Sequence, residues 1–252
     1  MAGEDGSNPR QITHSLSEKS RISWYPDGRA LLVDTQGGDL YRVDAATGEE
    51  APLPLPVRGM LDAAISPDGR RVAFSLTQSD SPDANELWIC DVDGANLRAL
   101  TNRAGLQHWP AWDPSGELIY YLSDLGPGVG HEIWRIHAHG SGDERLTFGE
   151  LRHLDVAVSV RGEIVYSGNQ SGAFDVWRKS PGAAPVQLTD DAALDAHPSF
   201  SPDGERILFE SSRGGTLNLW RVSRTGGPAE PVTSSLEPGA RLPVWSPARV
   251  AR

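Results

Sequence analysis

The stretch Ile65-Ser66-Pro67-Asp68-Gly69-Arg70-Arg71-Val72-Ala73-Phe74 decides the fold, together with Leu87-Trp88-Ile89-Cys90-Asp91-Val92-Asp93-Gly94 and the closing Leu100-Thr101. Proline presets φ at the first corner of a turn, aspartate can bond its own backbone, and glycine takes the positive-φ position. Apolar runs flanking such a turn read as the two strands of a hairpin. The aromatic-bearing strand at Trp88 and the short strand ending in Thr101 complete a four-stranded unit.

The unit recurs. Turns of the same form stand at Tyr25-Pro26-Asp27-Gly28, Ser66-Pro67-Asp68-Gly69, Asp113-Pro114-Ser115-Gly116, Ser159-Val160-Arg161-Gly162 and Ser201-Pro202-Asp203-Gly204, their glycines 41, 47, 46 and 42 residues apart. In each unit an aromatic stands at the same place on the third strand: Tyr41, Trp88, Trp134, Trp177 and Trp220. Aromatic side chains suit a half-buried pleated surface, so this ladder reads as packing between units. Four strands per unit of this length define a β-propeller blade, which stacks on its neighbours around an axis. The repeats fall at about residues 14–55, 56–101, 102–147, 148–189 and 190–233 of one domain spanning 1–252. At the ends, Val244-Trp245-Ser246-Pro247 begins another unit and Asp5-Gly6 through Ile12-Thr13 ends one. The expectation is therefore an all-β, six-bladed propeller, its closing blade built from 1–13 plus 234–252. That seam lacks the counterpart of Ser75 to Trp88, on the order of a dozen residues. Two readings stay open: a fragment of a longer protein, or a ring with one ragged blade.

Composition agrees. Of 252 residues, 27 are Gly and 19 Pro, a turn-rich content, and the net charge is −11. That acidity argues against sequence-independent nucleic-acid binding, which rests on Lys and Arg neutralising phosphates. No run of about 20 apolar residues implies membrane insertion, and the N-terminus lacks the pattern of a signal peptide. Cys90 is the one cysteine, expected as a small buried core residue, so no intrachain disulfide forms.

The repeat W-S-P-D-G, apolar run, aromatic strand, D-x-D-G, R-x-L-T resembles the TolB-like (WD-related) propeller repeat over essentially the whole chain. The resemblance implies a propeller that binds protein partners, in a bacterial periplasmic or other extracytoplasmic setting. It also implies an alternative: similar propellers accompany serine peptidases and sensor kinases as accessory domains. The α/β domain that precedes the propeller in the periplasmic Tol component has no counterpart here. Blade four departs from the pattern at Val160-Arg161, which leaves the tightness of its turn open, and the last unit departs at Ala248-Arg249.

No G-x-S-x-G elbow, H-E-x-x-H, paired C-x-x-C, phosphate loop or dinucleotide fingerprint occurs, so no enzyme activity, cofactor or metal is expected. The informative polar set lies where the innermost strand of each blade begins. Arg21, Asp62, Trp109, Asp155 and His197 share one register there, flanked by His108, His153, Asp195 and Arg241. Gathered at one mouth of the axial channel, these residues read either as a site for a peptide segment, an anion or a cation, or as a hydrated ring of mutually paired charges. His131, His137 and His139 read as solvated surface, and Ser79 to Asn85 as a solvated acidic loop. The expected molecule is a monomeric binding or scaffold propeller with a protein or peptide partner.

Overall fold

A computed structural model describes residues 1–15, 18–78, 81–103, 105–124, 130–149, 152–233 and 240–247. Its strands form five sheets of four antiparallel strands each. Blade one comprises β1 (Lys19–Trp24), β2 (Ala30–Thr35), β3 (Leu40–Asp44) and β4 (Glu50–Pro52). Blade two comprises β5 (Met60–Ile65), β6 (Arg71–Gln78), β7 (Ser81–Asp91) and β8 (Arg98–Ala99). Blade three comprises β9 (Gln107–Trp112), β10 (Leu118–Ser123), β11 (Glu132–His137) and β12 (Glu144–Arg145). Blade four comprises β13 (Ala157–Val158), β14 (Ile164–Gly168), β15 (Asp175–Lys179) and β16 (Val186–Gln187). Blade five comprises β17 (Asp195–Phe200), β18 (Arg206–Ser211), β19 (Asn218–Ser223) and β20 (Glu230–Pro231). Each sheet runs in chain order.

The expected six-bladed ring is thereby corrected to five blades. Among the described residues the two chain ends form no sheet, because strands two and three have no counterpart in the seam and a blade needs both to pair. The end segments pack instead. Glu4 meets Arg206 of blade five, Arg10 Nη2 donates to Ala45 O of blade one at 2.9 Å, and Ile12 is buried against Leu31, Val33 and Val43. Ala240 N donates to Leu217 O at 3.0 Å. The rest of the closing segments, 234–239 and 248–252 with Ala248-Arg249, lies outside the described residues, as do Ser79 and Asp80. The strand reaching back to Ser81 replaces part of the expected acidic loop: Thr77 pairs with Asn85.

The repeated turn has one construction. Its first residue accepts a hydrogen bond from the glycine N–H, at 2.9 Å from Gly69 to Ser66 O, and Gly69 holds φ at +71°. Asp68 Oδ1 then accepts from Arg70 N at 3.1 Å. Blade four keeps the same closure at Ser159 and Gly162 without Pro-Asp, but one residue shorter: Ser159 N donates to Glu163 O, where Ser66 N donates to Arg71 O.

Between blades the ladder packs as expected. Trp134 sits against a cluster joining Leu87, Ile89 and Leu100 of blade two to Ile119 and Tyr121 of blade three. Trp177 and Trp220 do the same at the next two boundaries, Trp88 at the boundary with blade one, and Tyr41 in the cluster that holds Ile12. Such side chains contribute roughly 1.5–3 kcal/mol each when taken from water. The recurring Leu-Thr has a separate role. The threonine Oγ1 accepts a backbone N–H of strand three: Thr101 from Leu87 at 2.9 Å, Thr147 from Ile133 at 2.9 Å, Thr189 from Val176 at 3.0 Å and Thr233 from Leu219 at 2.9 Å. A buried polar group precedes each strand-three residue: Glu86, Glu132, Asp175 and Asn218.

Candidate functional site

The shared register read from the sequence is a structural device. In blades two, three and five the innermost strand carries an irregularity in its pairing with strand two. The residue there, Asp62, Trp109 or His197, has φ of +56°, +57° or +52°. Leu242 in the last innermost segment has φ +49°. A non-glycine residue in this region carries a cost of order 1 kcal/mol and persists only where its surroundings hold it.

Carboxylates hold it. Asp34, buried on β2, accepts from Arg21 N and from Asp62 N of the next blade at 2.8 Å. Asp62 Oδ2 in turn accepts from Trp109 N at 3.4 Å. Asp155 accepts from Ser167 N and, across the boundary, from His197 N, both at 2.8 Å. Glu210 accepts from Leu242 N at 2.9 Å. An unpaired buried N–H costs about 1–3 kcal/mol, so each carboxylate fixes a bulge and couples two segments of the ring. Burial lifts the Asp34 carboxyl to about 6, against the hydrogen bonds from Arg21 and Asp62 that lower it. At the link from blade three to blade four, Trp109 and Leu122 occupy the corresponding positions and supply no carboxylate.

The predicted residues therefore divide. His153, Asp155 and Asp195 are buried at 0–1% exposure and present nothing to a partner. Asp195 pairs with Arg213, and burial raises its carboxyl. His153 Nε2 lies 3.6 Å from Glu132 Oε2 of blade three and its ring stands edge-on to Tyr166. Arg21, Asp62, His108, Trp109 and His197 are half-buried together, and Arg241 is exposed. His108 Nδ1 is 3.8 Å from Asp62 Oδ2, and burial pushes the His108 imidazole down to about 4. His197 Nδ1 lies 3.0 Å from Glu210 Oε1. Burial depresses its basicity, but the Glu210 hydrogen bond and nearby Asp155 carry it above the ordinary value. Arg241 Nε stands 3.8 Å from Glu210 Oε2.

His131 departs from the surface role expected of it. Its ring meets His108 edge-on at 4.7 Å between centroids, because strand three begins at the same mouth where strand one begins. His137 and His139 stack on each other at 5.0 Å, away from that mouth at the end of β11. Cys90 is buried, and burial raises its thiol to about 11. Among the described residues no three His, Cys, Asp or Glu side chains come together as metal ligands.

A ring of four-stranded antiparallel blades, its innermost strands tied by carboxylates around an axial channel, defines a β-propeller. The chain belongs to the TolB beta propeller domain family, whose model matches residues 56–249. An uncharacterised protein of Agrobacterium fabrum is 29% identical over 198 residues, 75% of this chain and 64% of its own. A TolB homologue of Chlorobium chlorochromatii is 28% identical over 146 residues, covering 58% and 32%. An uncharacterised peptidase of Bacillus subtilis is 27% identical over 199 residues, covering 74% and 28%. The chain thus spans less than two thirds of the length of each of these curated relatives. The solved structure of a putative TolB from Agrobacterium tumefaciens superposes with a TM-score of 0.81 at 23% identity, covering 94% of this chain and 89% of that one. At that identity the likeness speaks for the fold.

Proposed function

We propose that this propeller is a non-enzymatic binding or scaffold module that engages a protein or peptide segment at the mouth where the innermost strands begin. The observation that carries this reading is the convergence there of half-buried Asp62, His108, Trp109 and His197 with exposed Arg241, on a rigid, carboxylate-tied frame. Such a frame presents side chains at low ordering cost, which favours recognition of an extended segment. The buried His153, Asp155 and Asp195 support the frame. The bacterial TolB relatives favour an extracytoplasmic setting and a partner that is itself a protein.

The test is site-specific photo-crosslinking from position 241 in the producing bacterium, with position 186 on the outer edge as the control. A discrete protein adduct from 241 alone, lost in His197→Ala, is the expected result. Equal adducts from both positions, or an adduct indifferent to His197→Ala and His108→Ala, would overturn the reading.

A second reading is favoured by the similarity to the Bacillus subtilis peptidase, of which the chain spans 28%. In it the propeller is an accessory domain of a larger enzyme. A peptidase or kinase module in the same transcript would establish that arrangement, and a separate stop and start would remove it.

A further inference from the structure

Arg21, Trp109 and His197 come from blades one, three and five and meet across the channel axis. The Arg21 guanidinium carbon lies 4.3 Å from the Trp109 ring centroid, and the Trp109 and His197 centroids are 5.2 Å apart at 35°. Arg21 Nη1 donates to Asp62 O at 2.8 Å, which pins the guanidinium in place. Trp109 and His197 stand at the bulges with positive φ, and both line the axial cavity. Stacked this way, the three side chains close the channel at the level of the bulges.

Beyond that floor the channel widens into a cavity of about 530 Å³. Trp24, Trp112, Phe200 and Trp245, the residues that end the innermost segments, stand on its walls, and Val158 takes the same place in blade four. The rim is formed by the turns, with Val160 58% exposed there. The cavity is thus a blind well that opens on the turn side, opposite the mouth of the proposed partner site, and it goes beyond that reading.

We propose that this well is a binding site for an uncharged, planar aromatic small molecule. Its volume lies in the range of small-ligand pockets, and a closed floor prevents a polypeptide from threading through. Indole and phenyl walls favour offset or edge-on contact with a flat ring. The charged groups of the floor are engaged already: Arg21 with Asp62 O and His197 with Glu210. The Ser199 hydroxyl and the Trp245 indole N–H stand on the walls without a partner; they can bond a neutral polar substituent but do not replace the full hydration shell of a charged ligand.

The test is a titration of the whole chain with N-phenyl-1-naphthylamine, which is uncharged at neutral pH and emits strongly only in apolar surroundings. Saturable one-to-one binding with tryptophan-sensitised emission is expected. It should weaken about tenfold or more in Val158→Arg, which fills the well with a charge, and in Val160→Trp, which narrows the rim. Arg241→Glu, on the other face, should leave it unchanged, so failure of the partner reading and failure of this one appear in different variants. The anionic 8-anilinonaphthalene-1-sulfonate should bind about tenfold more weakly. Absence of saturable binding, equal binding of the anionic probe, or binding indifferent to the rim variant would overturn the proposal. Should Val158→Arg not fold, Val160→Trp on the exposed turn decides it.

Discussion

Glu132 offers a quantitative test of how the blades are joined. Its carboxylate is 4% exposed at the start of β11. Oε1 takes Arg145 Nη2 at 2.8 Å, Oε2 accepts the Thr147 hydroxyl, and His153 of the next blade approaches to 3.6 Å. Burial alone would raise this carboxyl, but the adjacent His153 imidazole and the hydrogen bonds from Thr147 and Arg145 outweigh it and hold the group down at about 2. The fall from the ordinary value corresponds to about 3 kcal/mol of native-state stability at neutral pH. Breaking a buried charge pair costs about 3–5 kcal/mol. The Arg145 side chain keeps 23% of its surface in water, which places Glu132→Gln at the lower end, about 3 kcal/mol. A depressed carboxyl contributes in full above its unfolded value and loses its contribution as pH falls through its folded one. Denaturant unfolding of both proteins at pH 7 and pH 3 should therefore give a difference of about 3 kcal/mol that shrinks to about 1.4 kcal/mol in acid. A difference of the same size at both pH values would refute the electrostatic account and leave only lost packing.

Other outcomes follow from the same contacts. Gly38→Ala should destabilise by about 2 kcal/mol or more in thermal unfolding, because φ is +75° and an added Cβ would stand 2.3 Å from Gly59 Cα. Thr101→Val, which removes the acceptor of the Leu87 N–H, should cost about 1–3 kcal/mol by the same measurement. Cys90, buried with its thiol raised to about 11, should ignore an aromatic disulfide reagent in the native protein and react promptly once denaturant unfolds it. Rapid native reaction would show that blade two opens.

The blades were legible because each unit repeats strong local chemistry: a Pro-Asp-Gly turn, an apolar run and an aromatic on strand three. The axial register was legible too, since counting back from the turns selects Arg21, Asp62, Trp109, Asp155 and His197. What that register does was not. Nothing in the identities of Asp62, Trp109 or His197 announces a left-handed backbone, which glycine would have signalled, so Asp62 and Asp155 read either as part of a ligand site or as members of a ring of mutually paired charges, and Asp34 did not stand out. The threonine after each fourth-strand leucine was visible as a pattern, but its bond to strand three depends on a contact across the sheet. His131 joins His108 because strands one and three begin at the same mouth, which spacing along the chain does not show. The sixth blade was inferred from phase alone; phase places a strand but cannot supply its hydrogen-bonding neighbours.

The carboxylates that tie the ring occupy two different places. Asp34 and Glu210 stand on strand two, where blade four has Ser167; Asp155 stands on the innermost segment, where blade one has Arg21. Position by position these repeats disagree, an acid against a serine and a cation against an acid. Yet in each case an oxygen reaches an N–H of the following segment. What these three links share is thus the location of an acceptor in space, while the column that supplies it differs. Comparison of the repeats by residue identity would count as divergence what is, in three dimensions, a compensated exchange, and paired columns would describe these blades better than single ones.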